Sequence, residues 1–210
     1  IIPFHGPSNN NYYYPFYVLV ETQGFNMEHD SIQIHRFLEK SMETGTVVDG
    51  IVAQDGKQIQ NLWEIRESLA PKISTKGYIY KYDVSLPRLL DFHDIVLEMN
   101  ARLSSHYYNL PQQQEAKIVT FGHVADGNLH FNVVTPGKFE KDDYLLNNAL
   151  EPYLFHSVIR RKGSISAEHG LGCSKNKYLP LVKCAETLEM MRAIKFLLDP
   201  EGILNPGKVL

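Results

Sequence analysis

Two short stretches and two isolated cations carry the side chains best suited to chemistry in this sequence. The first stretch is Gly122-His123-Val124-Ala125-Asp126-Gly127-Asn128-Leu129-His130-Phe131-Asn132. Asp126-Gly127 between strand-like runs is a hairpin signal. A two-residue turn there sets His123 directly opposite His130, with Cβ atoms about 5 Å apart. Two imidazoles so placed can converge on one metal ion, and Asn132 shares their face because strand side chains alternate. The second stretch, Ser164-Ile165-Ser166-Ala167-Glu168-His169-Gly170-Leu171-Gly172, puts an acid beside an imidazole at a strand end, with two glycines permitting close backbone approach. Glu168 would complete a His-His-carboxylate set, which holds a divalent cation and leaves positions open for water or substrate. His169 would stay free to take a proton near neutral pH. The competing reading is an ordinary turn flanked by hydrogen-bonded histidines, with a capping acid in the loop.

The cations are Arg66, on the helical stripe of Ile59, Leu62 and Trp63, and Lys81, within the strand-like run Tyr78 to Leu86. A cation on a packed face needs an anionic partner or must snorkel to water. Either the two make internal salt bridges, or they point into a cleft that receives carboxylates, Arg66 by its bidentate fork and Lys81 as a point charge. Cys173 and Cys184 are too few for a disulfide scaffold or a four-cysteine zinc site, and Cys173 reads as a packed thiol. With 21 Lys and Arg against 24 Asp and Glu, the net charge of -3 offers no basic field for nucleic acid. No apolar run approaches the roughly 18 residues of a membrane span.

These residues need a scaffold, and its outline is legible. Phe16 to Glu21 and Thr46 to Ala53 read as strands, with a helix carrying Ile32, Phe37, Leu38 and Met42 between them. A second helix carries Ile59, Leu62, Trp63 and Leu69. The strand Tyr78 to Leu86 follows, stopped by Pro87. A third helix spans roughly Leu89 to Leu103, and Ser104 to Lys117, with Gln112-Gln113-Gln114, reads as a loop. After the hairpin come a helix over Tyr144 to Arg161, a short strand Ser164 to Ala167, a helix over Leu188 to Leu198 and a turn-rich tail. The opening stretch through Tyr14 is polar and aromatic without a period. The alternation with one hairpin predicts an α+β fold, a mainly antiparallel sheet covered by helices, with a C-terminal helical segment and tail. No Gly-x-Gly-x-x-Gly or Walker loop occurs, so a large cofactor would be bound mainly by something else. The opening Ile1-Ile2-Pro3 suggests part of a longer chain.

Taken together, these motifs resemble the C-terminal half of the FAD-linked oxidases of the vanillyl-alcohol-oxidase flavoprotein superfamily. The resemblance runs through Pro15-Phe16-Tyr17-Val18-Leu19-Val20-Glu21-Thr22, Leu62-Trp63 with Arg66-Glu67, and Tyr80-Lys81-Tyr82-Asp83-Val84-Ser85-Leu86-Pro87. It continues through Gly122 to Asn132, Ser166-Ala167-Glu168-His169-Gly170 and the Gly202 to Lys208 tail. It implies a ferredoxin-like substrate-binding domain over residues 1–210, with the FAD-binding domain outside this chain. By that resemblance His123, His130 and Glu168 match zinc ligands, His169 matches the catalytic histidine, and Arg66, Lys81 and Asn132 match residues that bind substrate carboxylates. Asn205 resembles a tail residue that approaches the flavin. The implied reaction is oxidation of a D-2-hydroxy acid, preferably a dicarboxylate, by hydride transfer to FAD, with zinc as the second cofactor. The 2-hydroxyglutarate-oxidising members often carry threonine four residues beyond the arginine, where this chain has Ala70, which leaves the exact acid open. The electron acceptor, a carrier flavoprotein, a quinone or a keto acid, is equally open, and eukaryotic members imply the mitochondrial matrix. A zinc-dependent hydrolase and a non-catalytic α+β binding module are the alternatives.

Overall fold

The computed structural model describes residues 16–108 and 115–210, so the opening stretch through Tyr14 and the Gln112–Gln114 run lie outside the described residues. The chain divides into two compact units, Ile1–Lys72 and Ile73–Leu210.

In the first unit, helix α1 (Met27–Glu43) is capped by Asn26, whose side chain accepts from the His29 N–H. Glu28 and Asp30 lie in its first turn and Lys40 in its last, complementing the helix dipole. Helix α2 (Gly56–Glu67) is capped in the same way by Asp55, which accepts from Gln58 at 2.8 Å. The division between units falls within α3 (Leu69–Ser74). The expected strands Phe16–Glu21 and Thr46–Ala53 are not strands: both segments carry no ladder. Their β-branched and aromatic residues favour a pleated, half-buried surface, and a strand exists only where another strand supplies its hydrogen bonds.

The second unit is built on a three-stranded antiparallel sheet in the order β1-β3-β2, from β1 (Gly77–Ser85), β2 (Lys117–His123) and β3 (Asn128–Pro136). Helix α4 (Leu90–Tyr108) runs five residues further than the expected end at Leu103, because its stripe Ile95, Met99, Leu103 and Tyr107 continues to bury. The expected helix over Tyr144–Arg161 is interrupted. It splits into α5 (Asp143–Leu145), a π-turn (Leu146–Leu150) and α6 (Tyr153–Arg160), since Pro152 lacks the N–H that a continuous helix requires. A 3₁₀ turn (Asn176–Leu181) precedes α7 (Ala185–Leu198).

Alternation gives the sheet two unlike faces. Tyr80, Tyr82 and Val84 of β1, with Leu129, Phe131 and Val133 of β3 and Ile118 of β2, join α4, α6 and the π-turn in one core. Val84, Phe131, Val133, Ile95 and Met99 are wholly buried there. The opposite face carries the polar residues, so the architecture is α+β with the helices packed on the sheet's apolar side.

A candidate metal and proton-transfer site on the polar face

The hairpin positions the first histidines, but not through a two-residue turn. Val124–Asp126 form a 3₁₀ turn closed by Gly127 in the left-handed region, φ 65°. The register therefore sets His123 opposite Asn128, and His130 opposite Phe121. This corrects the expected pairing of His123 with His130. The slip is two residues, one full period of the strand, so both histidines remain on one face as diagonal neighbours with ring centroids 5.9 Å apart. Gly127 is required at this corner: a Cβ there would lie 2.6 Å from the Leu86 carbonyl oxygen, and its own carbonyl accepts from the Leu86 N–H at 2.8 Å.

Strand β1 brings the next residues. Asp83 lies opposite His130, and Lys81 opposite Asn132. Lys81 is exposed, which corrects the expectation of a packed face: the core takes Tyr80 and Tyr82, and alternation turns Lys81 away from it. Asn132 is buried and donates through Nδ2 to the carbonyls of Val119 and His130, each at 3.2 Å. The expected strand Ser164–Ala167 is a single bridge, Ser85 to Ser164, beside β1. From that bridge the chain rises over the polar face. Ser166 Oγ donates to the Gly170 carbonyl at 2.7 Å, closing the turn that presents Glu168 and His169.

His130 is the centre of the arrangement. Its Nε2 is 3.1 Å from Glu168 Oε1 and its Nδ1 is 3.7 Å from Asp83 Oδ1. His169 stacks on its ring with centroids 5.4 Å apart. The His169 Nε2 is 3.8 Å from the same Glu168 oxygen. Burial holds the His130 imidazole below its usual pKa, outweighing the opposite pull of Glu168 and Asp83, which favours the neutral form. A neutral imidazole carries one N–H yet here lies between two carboxylates, so one nitrogen turns a lone pair toward an anion. A cation resolves that conflict. Asp83, His130, Glu168 and His169 each offer a ligand atom, all within 4.8 Å of one another, and this donor set fits a divalent ion such as zinc. His123 stands beside this group rather than within it.

Of the residues singled out from sequence, His130, Glu168 and His169 come together, with His123, Asn132 and Lys81 as neighbours on the same sheet face. Arg66 lies on α2 of the first unit, half-buried. Asn205 is exposed in the tail with φ 47°. The tail is pinned on both sides of it: Asp199 accepts from the Ile203 and Leu204 N–H groups at 2.9 Å each, and Val209 donates to the Gly172 carbonyl at 2.9 Å. Cys173 is exposed rather than packed. Asp83 was not singled out from sequence. Its signal was there, an acid two positions from Lys81 and so on the polar face of the same strand, but its partner loop lies more than eighty residues away.

A three-stranded sheet with one polar face bearing histidines and carboxylates describes an α+β unit with a candidate metal site, and comparison with known families adds the class to which that unit belongs. The family "FAD linked oxidases, C-terminal domain" matches residues 5–209, and the chain belongs to it. Among individual proteins, it is 43% identical over 196 residues to the mitochondrial D-2-hydroxyglutarate dehydrogenases of Danio rerio and Bos taurus, covering 93% of this chain and 34% of each relative. It is 41% identical over 200 residues to a putative mitochondrial D-lactate dehydrogenase of Schizosaccharomyces pombe, covering 93% of this chain and 37% of that one. The chain spans about a third of the length of these curated relatives.

Proposed function

We propose that this chain is the substrate- and metal-binding part of a mitochondrial FAD-dependent dehydrogenase that oxidises D-2-hydroxyglutarate, or a related D-2-hydroxy acid, to the 2-keto acid. The observation that carries the reading is the convergence of His130, Glu168 and His169 on the open face of the sheet, in a chain about 40% identical to dehydrogenases of that class over nearly its whole length. Zinc would be held by His130 and Glu168, with His123, which stands beside the group the structure brings together, as a further ligand by the family resemblance; when bound it would supply a Lewis acid that lowers the pKa of a substrate hydroxyl. FAD, bound mainly outside these residues with Asn205 approaching it, supplies the hydride acceptor.

The chain's own residues do the rest. His169, exposed at the mouth of the site, accepts the hydroxyl proton on a ring nitrogen as the C2 hydride departs, which leaves a C=O double bond at C2. Lys81 gives the substrate's distal carboxylate a cation next to Asn132. Arg66 acts as a second carboxylate-binding cation, a role that rests on the family resemblance. Burial of His130 favours the neutral imidazole, the form that a metal ligand needs.

The test uses the full-length protein containing its FAD-binding domain. Metal analysis should find about one zinc per chain, and anaerobic D-2-hydroxyglutarate should bleach the flavin. A flavin left oxidised by both D-2-hydroxyglutarate and D-lactate overturns the proposal. The electron acceptor is open among a carrier flavoprotein, a quinone and a keto acid, and is identified by which of the three reoxidises the bleached flavin.

A further inference from the structure

One buried carboxylate of the second unit, Asp83, lies in the donor group described above but has no role in the proposed reaction. Asp83 is 2% exposed, in the middle of the polar face of β1. Its Oδ2 accepts three consecutive backbone N–H groups, from Ala167 at 3.0 Å and from Glu168 and His169 at 2.8 Å each. Its Oδ1 has no hydrogen-bond partner and faces His130 Nδ1 at 3.7 Å. Three successive N–H groups aimed at one point form an anion-binding concavity, and an ionised oxygen satisfies all three where a neutral acceptor would do so weakly. The loop is tied from below as well: the buried Lys175 donates to Ser166 Oγ at 3.3 Å, and Ser166 donates in turn to Gly170.

We propose that Asp83 is the positioning residue of this site: one carboxylate oxygen fixes the backbone turn that presents Glu168 and His169, while the other orients the His130 ring against them. The two adjacent reactive side chains leave a solvent-exposed loop of glycines and serines, which has little rigidity of its own. Anchoring their own N–H groups to the sheet that carries His130 sets Glu168 and His130 in register. An anionic oxygen 3.7 Å behind Nδ1 favours the tautomer that carries its N–H on that side, and so leaves Nε2, on the Glu168 side, as the nitrogen with the lone pair. The chemical consequence rests on the metal-site reading, but the loop anchoring does not.

The experiment compares full-length wild-type protein with Asp83→Asn and Asp83→Ala by residue-resolved amide hydrogen exchange and by zinc affinity against a competing chelator. In the wild type the Ala167, Glu168 and His169 amides should exchange slowly although Glu168 and His169 are exposed. Asp83→Ala should lose that protection while β1 and β3 keep theirs. Both variants should bind zinc about ten- to a hundredfold more weakly, the range found when an outer carboxylate behind a ligating histidine is removed. Loop amides equally protected in folded Asp83→Ala, or zinc affinity within twofold of wild type in Asp83→Asn, would overturn the proposal. If Asp83→Ala does not fold, Asp83→Asn decides: it keeps an acceptor for the loop but presents the wrong group to His130, so zinc affinity within twofold of wild type defeats the inference. A wild type that binds no zinc refutes the metal-site reading instead, and the amide exchange still judges the anchoring.

Discussion

His130 shows why residue identity is only the start of a site. Histidine supplies the donor, yet burial favours its neutral form against the pull of the nearby carboxylates, and the fold decides which nitrogen faces Glu168. Lys81 shows the reverse. It is exposed, so its contribution is that of a mobile point charge next to Asn132, available to an incoming anion. Replacing it should therefore act on the substrate rather than the fold. In the full-length enzyme, Lys81→Ala should raise KM for D-2-hydroxyglutarate about tenfold or more, the loss of one charged hydrogen bond of roughly 1.5–3 kcal/mol. KM for D-lactate, which has no distal carboxylate, should stay within about twofold. Equal changes for the two acids would remove Lys81 from the distal-carboxylate role.

At the scale of elements, the polar face is only as well placed as the sheet beneath it, and that sheet is held by the packing of α4 against α6. Glu98 on α4 accepts from Ser157 Oγ at 2.7 Å and from Arg160 at 2.7 Å, and pairs with Arg161 at 2.8 Å. Partial burial pushes the Glu98 carboxyl up, but hydrogen bonds from Ser157, Tyr153 and Arg161 and the Arg161 charge outweigh it and hold its pKa below the usual glutamate range. A carboxylate with a depressed folded pKa contributes stability that is present above its unfolded value and is lost as pH falls through the folded value. Glu98→Gln should accordingly lower stability by about 1–3 kcal/mol near neutral pH. The gap between variant and wild type should close as pH drops below about 4, the ordinary glutamate range. Thermal unfolding followed by circular dichroism from neutral to acid pH measures this, and a gap that persists unchanged in acid would rule out the charge as its source. The elements themselves were largely readable: α1, α2, β1, α4, β2, β3 and α7 follow apolar periodicity, caps and turn residues. Misreadings fell where neighbours decide. The Phe16–Glu21 and Thr46–Ala53 segments have strand composition but no ladder, and Pro152 divides what periodicity alone would join.

For the whole molecule, the proposed function divides the labour, with substrate and metal in these residues and flavin chiefly elsewhere, and the chain spans about a third of the length of the relatives it matches. The 210 residues mixed with free FAD should therefore reduce none of it with D-2-hydroxyglutarate, whereas the full-length protein should; flavin absorbance under anaerobic conditions reads both, and reduction by the shorter chain would show that it holds FAD by itself. The sequence alone determined the family, the α+β class and the residue types of the site, because motif order, strand alternation and helix periodicity are local properties that a linear string records. It also placed His123, His130 and Asn132 on one face correctly, since a slip of two residues preserves the face of a strand. Only the tertiary structure decided the true hairpin register, the exposure of Lys81 and the hold of Asp83 on the Glu168–His169 turn. Those depend on which segments meet across tens of residues, and buried hydrogen bonds between such segments leave no periodic trace in either one.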